Sequence, residues 1–172
     1  MEIKSIRYIS LVYNIPWWFY GVVILIAIIS WKLTKRLTYT ILSSYIALII
    51  AQTILFRTVN EEAQYNFQLF WSYSVLNKDQ MTFEDKMLVR QILFSVVMFI
   101  PIGVIFTTEK GMKGTLFGFV VSLGIEAIQF ITHRGLFELD DLFHNSVGVV
   151  IGALIAITLR KLIKIEYPIK VG

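Results

Sequence analysis

Residues 91–132 read QILFSVVMFIPIGVIFTTEKGMKGTLFGFVVSLGIEAIQFIT, two long apolar runs joined by a short charged link at 109–113. Each run is close to the roughly 20 residues that a helix needs to cross the hydrocarbon core of a bilayer. Further runs without Asp, Glu, Lys or Arg cover residues 8–31, 37–56 and 142–159. Because lipid offers the backbone no hydrogen-bond partners, such segments cross the membrane as helices.

These five runs predict an all-α, polytopic membrane protein: one domain over residues 1–172, a bundle of five transmembrane helices. The expected spans are 8–31, 37–56, 91–108, 114–132 and 142–159. The first run is longer than the apolar region of a signal peptide and ends at a basic cluster, so it is expected to be a retained anchor. The two short connections at 32–36 and 109–113 predict antiparallel neighbours on either side of each.

The composition agrees with a membrane protein. Of the 172 residues, 56% are hydrophobic and 16% are charged, whereas soluble domains have roughly 45–50% and about 25%. A soluble enzyme and a DNA-binding module are therefore excluded as the default interpretation. The absence of cysteine excludes a disulfide scaffold, thiolate metal sites and a cysteine nucleophile.

The basic residues predict the orientation of the helices. The face that holds the two short connections and the C-terminal tail carries nine basic residues and two acids; the basic residues are Lys32, Lys35, Arg36, Lys110, Lys113, Arg160, Lys161, Lys164 and Lys170. The other face carries seven basic residues and nine acids. The positive-inside rule then places the first face in the cytoplasm and the N-terminus outside. Topology and contact with membrane lipids explain the net charge of +4, and no nucleic-acid partner is expected.

The long external segment between the second and third spans contains a candidate helix. Phe67, Phe70, Trp71 and Val75 have helical spacing and would form one aromatic face. This pattern predicts a short external interfacial helix lying on the outer leaflet. A loop helix that caps the bundle is the alternative.

Polar residues in the last two spans predict a site at their outer end. Glu126 is the one acid inside a span, so it should face the bundle interior, and Gln129 and His133 continue its helical face. We expect ligand-binding residues to converge there from both helices, namely Glu126, Gln129, Arg134, Asp140, Asp141 and Asn145. The structural alternative makes Asp140 an N-cap, Asn145 an interhelical hydrogen bond and Arg134 a brace for the loop.

A pair of glycines and a proline predict features of helix packing. Gly148 and Gly152 are spaced for close approach to a neighbouring helix. Pro101, followed by Gly103, is expected to break the third helix in mid-membrane. This break either serves packing or opens a lipid-sized groove beside Glu126.

Metal and hydrolase chemistry find little support in the sequence. His133 and His144 lack the H-E-x-x-H spacing or any comparable ligand pattern, so no metal site and no cofactor are expected. Ser146 lies just inside a helix, without the elbow of a serine nucleophile.

The motif Phe99-x-Pro101-x-Gly103, followed by Glu126-x-x-Gln129, Arg134, Asp140-Asp141, Asn145 and Gly148, resembles the VanZ-like family, which is named for a teicoplanin resistance protein. Residues 66–70, NFQLF, are similar to the family's N-L-x-P-F segment. The resemblance covers roughly residues 40–160. The chain departs from the pattern at Ser95, where the family usually has Asn, and at Leu69, where it has Pro.

The resemblance implies a small protein of the bacterial cytoplasmic membrane that is linked to resistance against lipoglycopeptides, and it supplies no enzymatic activity. We expect a cleft that engages an amphiphile at the outer leaflet, either a lipid-tailed glycopeptide or a lipid-linked cell-wall precursor, with Arg134 on its anionic group. The alternative is a membrane-embedded transferase or hydrolase acting on a lipid-linked substrate. Its general base would be Glu126 or Asp141 and its acid His133 or His144. A third possibility is a structural partner in a larger membrane complex.

Overall fold

A computed structural model describes residues 15–163 of the chain, except residues 58 and 79. This part contains five α-helices: α1 (Trp17–Thr34), α2 (Leu37–Ile50), α3 (Phe83–Lys110), α4 (Met112–Ile131) and α5 (Leu139–Ile163). A π-helix, Ala51–Leu55, continues α2. With that continuation, all five helices are long and apolar enough to cross a membrane. The chain is an all-α, multi-pass membrane protein, as predicted.

The ends of the helices follow from local residues. The first helix begins at Trp17, directly after Pro16, and residues 8–14 of the predicted first span lie outside the described residues. Lys35, in the left-handed conformation, ends α1, and Gly111 with φ of 64° separates α3 from α4. A capping box between Thr82 and Asp85 starts α3 eight residues before the predicted span. The tight connections make α1 and α2, and α3 and α4, neighbours, as predicted.

Helices α3 and α5 form the most extensive contact in the bundle, through three glycines. A Cβ atom at Gly103, Gly148 or Gly152 would overlap a backbone carbonyl of the facing helix; these carbonyls belong to Val149, Val96 and Ile100, respectively. Small residues let helices approach this closely in a membrane, where lipid competes with side chains for apolar contact. The close approach predicted from Gly148 and Gly152 is confirmed, and the partner helix is α3.

Helix α3 continues through Pro101 without interruption, so the prediction of a break there is wrong. A proline removes only its own N–H from the helical ladder. In the preceding turn the hydroxyl of Tyr45 donates to the carbonyl oxygen of Met98 at 2.8 Å, which ties α2 to α3. This contact joins α2 and α3 next to the carbonyl oxygen of Val97, which is the one that Pro101 leaves without a helical partner.

The segment between α2 and α3 differs from the predicted interfacial helix over 67–75. A short strand, β1 (Gln64–Asn66), pairs in parallel with β2 (Leu136–Glu138), and a 3₁₀-helix follows at Trp71–Asn77. Phe67 precedes this helix, and Phe70 has a positive φ of 65°, which interrupts a regular α-helix before Trp71. The strand pair defines what we call the strand end of the bundle. The short connections lie at the opposite end.

Candidate functional site

A polar cleft opens at the strand end, between α2, α3, α4 and α5. Its empty volume is about 580 Å³, a figure that includes the open mouth. The polar side chains that line it come from α3, α4 and α5, from the π-helix after α2 and from Arg57: Gln52, Thr53, Arg57, Gln91, Ser95, Glu126, Gln129, Asp141 and Asn145. The apolar wall is made of Phe94, Met98, Phe99 and Ile125.

Four of the six predicted ligand-binding residues line this cleft, because helical spacing brings each pair to one face. Glu126 and Gln129 are one turn apart on α4, and Asp141 and Asn145 are one turn apart on α5. Glu126, Gln129 and Asn145 are all at least 95% buried. The structure therefore brings the two predicted faces together.

Hydrogen bonds hold three of these side chains in place. Glu126 accepts from the backbone N–H of Glu138 in β2 at 3.3 Å. Asp141 accepts from the Gln91 amide at 3.4 Å, and the Asn145 amide donates to the Ser122 hydroxyl at 3.0 Å. Hydrogen-bond partners in β2, α3 and α4 thus hold these side chains in position, in addition to the helices to which they belong.

The end of α2 is docked on α4 through carbonyl oxygens. The Gln129 amide donates to the Thr53 carbonyl oxygen at 2.9 Å, inside the π-helix. Arg134 donates to the carbonyl oxygens of Leu55 and Arg57, at 2.7 and 3.2 Å. A guanidinium at a helix C-terminus satisfies carbonyls that have no helical partner. Arg134 therefore caps the end of α2 and does not line the cleft, contrary to the predicted contact with a ligand anion.

Arg57 supplies the positive charge of the cleft instead. It interacts electrostatically with Glu126, Glu138 and Asp141. Its Nη1 atom lies 2.6 Å from where a Cβ of Gly135 would stand, so a side chain at this position would shift the guanidinium. Sequence reasoning treated Arg57 only as an external basic residue. The glutamines Gln52 and Gln91, polar residues inside apolar runs, were the available signal for this side of the cleft.

Asp140 lies outside the cleft lining and holds the external segment. Its carboxylate accepts from the backbone N–H of Phe70, and it accepts from the backbone N–H of Ser72 at 3.0 Å and from the Ser72 hydroxyl. Asp140 is only 2% exposed. The side chain thus anchors the start of the 3₁₀-helix to the first turn of α5. This role is structural but differs from the predicted N-cap, because α5 begins at Leu139 and the donors belong to the external segment.

Neither histidine lines the cleft. His144 is 1% exposed, and its Nε2 lies 3.0 Å from the hydroxyl of Tyr73. His133 adopts a positive φ of 55°, and its carbonyl oxygen accepts from the backbone N–H of Asn60. The acid–base hypothesis requires one of them to lie in the cleft with Glu126 or Asp141, and neither does. In the part of the chain described, no group of three or more His, Cys, Asp or Glu residues could hold a metal ion.

Glu138, at the end of β2, is an acidic group in an apolar setting. It is 5% exposed. Burial, and to a lesser degree the nearby Asp141 carboxylate, raise its pKa to about 8, although the charge of Arg57 acts in the opposite direction. Glu138 is therefore mainly protonated at neutral pH, which limits the negative charge next to the cleft.

The scan against protein-family models matches VanZ/LLP1 over residues 17–160. Searches of curated proteins and of solved structures found no match.

Proposed function

The chain belongs to the VanZ/LLP1 family, and on this premise we propose that it protects a bacterial cell against lipoglycopeptides of the teicoplanin type. It does so in the cytoplasmic membrane, by binding an amphiphile at the outer leaflet in the cleft lined by Arg57, Glu126 and Asp141. The amphiphile is either the lipid-tailed antibiotic or a lipid-linked cell-wall precursor.

The observation that carries this proposal is the polar cleft among apolar helices. Ionisable groups at membrane depth are costly, and they mark functional sites when they face a cavity. The cleft also has an apolar side: Phe94 lines it and is 42% exposed, on a surface that α3 presents outside the bundle. A ligand with a polar head and an apolar tail matches both surfaces at once, because the head fills the cleft and the tail follows α3.

The distribution of basic residues supports an outward-facing cleft. Among the described residues, Lys32, Lys35, Arg36, Lys110 and Lys113 lie in or beside the connections at the end opposite the cleft. Short connections rich in Lys and Arg stay in the cytoplasm. The cleft then opens toward the outer leaflet, where glycopeptides and exported cell-wall precursors are found.

The test is expression of the full chain in a susceptible Gram-positive host, with growth inhibition measured for teicoplanin and for vancomycin, which has no acyl tail. We expect protection against teicoplanin and little against vancomycin. Protection should be lost in Glu126→Gln and Asp141→Asn and retained in Glu62→Gln, an exposed carboxylate away from the cleft. Immunoblots of the membrane fraction confirm that each variant is inserted.

Two results would contradict the proposal. Equal protection against both antibiotics would remove the role of the lipid tail. Full protection by the Glu126→Gln and Asp141→Asn variants would remove the role of the cleft.

A further inference from the structure

The cleft is lined by hydrogen-bond acceptors as well as by donors. The carboxylates of Glu126 and Asp141 face it, as do the side chains of Gln129 and Asn145, whereas Arg57 is the cation among the described lining residues. The head group that fits such a surface must bring donors of its own.

Gln129 shows most clearly that the cleft lacks a hydrogen-bond donor. It is 3% exposed, and its amide nitrogen donates to the carbonyl oxygen of Thr53, which can only accept. The orientation of the amide is therefore set, and its Oε1 atom is left buried without a hydrogen-bond partner. The Oδ1 atom of Asn145, a residue that is 4% exposed, is also buried without a hydrogen-bond partner. Buried acceptors without partners cost free energy, which a ligand donor would recover.

We infer that the cleft selects a head group in which a primary ammonium stands beside an anionic group. The ammonium supplies three N–H donors to the carboxylates and amide oxygens, and the anionic group meets Arg57. This inference rests on the proposed function only in that an amphiphile occupies the cleft.

Two other ligand classes fit less well. A lone phosphate would gain Arg57 but would stand against the carboxylates of Glu126 and Asp141. A divalent cation such as Ca²⁺ needs six to eight oxygen ligands and would be repelled by the Arg57 guanidinium. A zwitterion with an ammonium pairs with both signs of charge in the cleft.

The test compares 12-carbon phosphoethanolamine and phosphocholine amphiphiles, which carry the same tail and phosphate but differ in the N–H donors of the ammonium. Binding to the full chain in phosphatidylcholine nanodiscs is measured by native mass spectrometry, with dodecyl phosphate as a third probe. We expect the phosphoethanolamine probe to bind at least about tenfold more tightly than the phosphocholine probe, the effect of one charged hydrogen bond. Asp141→Asn should abolish this preference, and Glu62→Gln should retain it. Thermal melts confirm that both variants are folded.

The outcomes separate this inference from the proposed function. If phosphocholine or dodecyl phosphate binds as tightly as phosphoethanolamine, or if Asp141→Asn keeps the full preference, the inference is wrong. If these probes bind in a manner that depends on Asp141 but without preference, the cleft still binds amphiphiles. If the preference holds while the teicoplanin assay fails, the inference stands and the proposed function falls.

Discussion

The glycine contact between α3 and α5 yields a prediction that the structure quantifies. A Cβ at Gly152 would overlap the carbonyl oxygen of Ile100 and stand 2.8 Å from the backbone nitrogen of Val104. Both neighbours are backbone atoms, which cannot move aside as a flexible side chain can. Gly152→Ala therefore forces α3 and α5 apart. On α4, Gly124 has no atom within 4 Å of its Cβ position, so Gly124→Ala is the matched control.

The magnitude follows from two terms. Forcing a methyl group into a packed contact costs about 1–3 kcal/mol. Replacing glycine by alanine in a helix gains up to about 1 kcal/mol, because alanine has less backbone freedom to lose. Gly152→Ala carries both terms and Gly124→Ala only the second. The free energy of unfolding should therefore be lower in Gly152→Ala than in Gly124→Ala by about 1–3 kcal/mol.

Reversible unfolding by sodium dodecyl sulfate in mixed micelles, followed by far-ultraviolet circular dichroism, measures this difference. Gly148→Ala, on the same contact, should resemble Gly152→Ala. Equal unfolding free energies for Gly152→Ala and Gly124→Ala would refute the reasoning, because they would mean that α3 and α5 do not touch at this glycine in the membrane protein.

Three further predictions concern the strand end. Because the pKa of Glu138 is raised to about 8 from 4.5, the folded state binds more protons than the unfolded state between these values, and its stability should fall as pH rises from about 4.5 to about 8. The unfolding midpoint should therefore be lower at pH 9 than at pH 6 in the wild type, with a much smaller difference in Glu138→Gln. Asp140→Asn weakens the charged hydrogen bonds to Ser72, so hydrogen exchange by mass spectrometry should show at least about tenfold less protection in peptides covering 70–73, and unchanged exchange would contradict the anchoring role. Gly135→Ala shifts the Arg57 guanidinium and should weaken binding of the phosphoethanolamine amphiphile, but by less than Arg57→Ala does, because the flexible arginine keeps its charge. Binding at the wild-type level by Arg57→Ala would show that Arg57 does not meet the ligand.

Helical periodicity explains why much of this protein could be predicted from its sequence. Five apolar runs of membrane-spanning length, of which only 114–132 contains a charged residue, Glu126, predicted the five helices, because length and apolarity decide whether a helix can cross a bilayer. The same periodicity placed Glu126 with Gln129 and Asp141 with Asn145 on shared faces. Contacts one turn apart in a helix are local in sequence, and local contacts can be read without knowing the fold.

The irregular segments could not be predicted in this way. The pairing of β1 with β2 joins residues about 70 positions apart, and three-residue strands carry no periodic signal. The predicted helix over 67–75 failed because Asp140, far away in sequence, sets the backbone at Phe70 and Ser72. Each failure is a tertiary contact overriding a local preference.

The cleft is lined by Arg57 and not by the predicted Arg134, and this difference has the largest consequence for function. With Arg134 at the mouth of the site, as predicted, an anionic ligand would meet a free guanidinium at the membrane edge. In the structure Arg134 instead holds the carbonyls at the end of α2, and this cap lies directly beside Arg57. Arg57 enters the cleft among carboxylates, where it balances part of their charge before any ligand arrives. A ligand must then satisfy the remaining acceptors as well as the guanidinium, and a purely anionic head group satisfies only the latter. The selectivity of the cleft for an ammonium donor is thus a consequence of which arginine the end of α2 places inside.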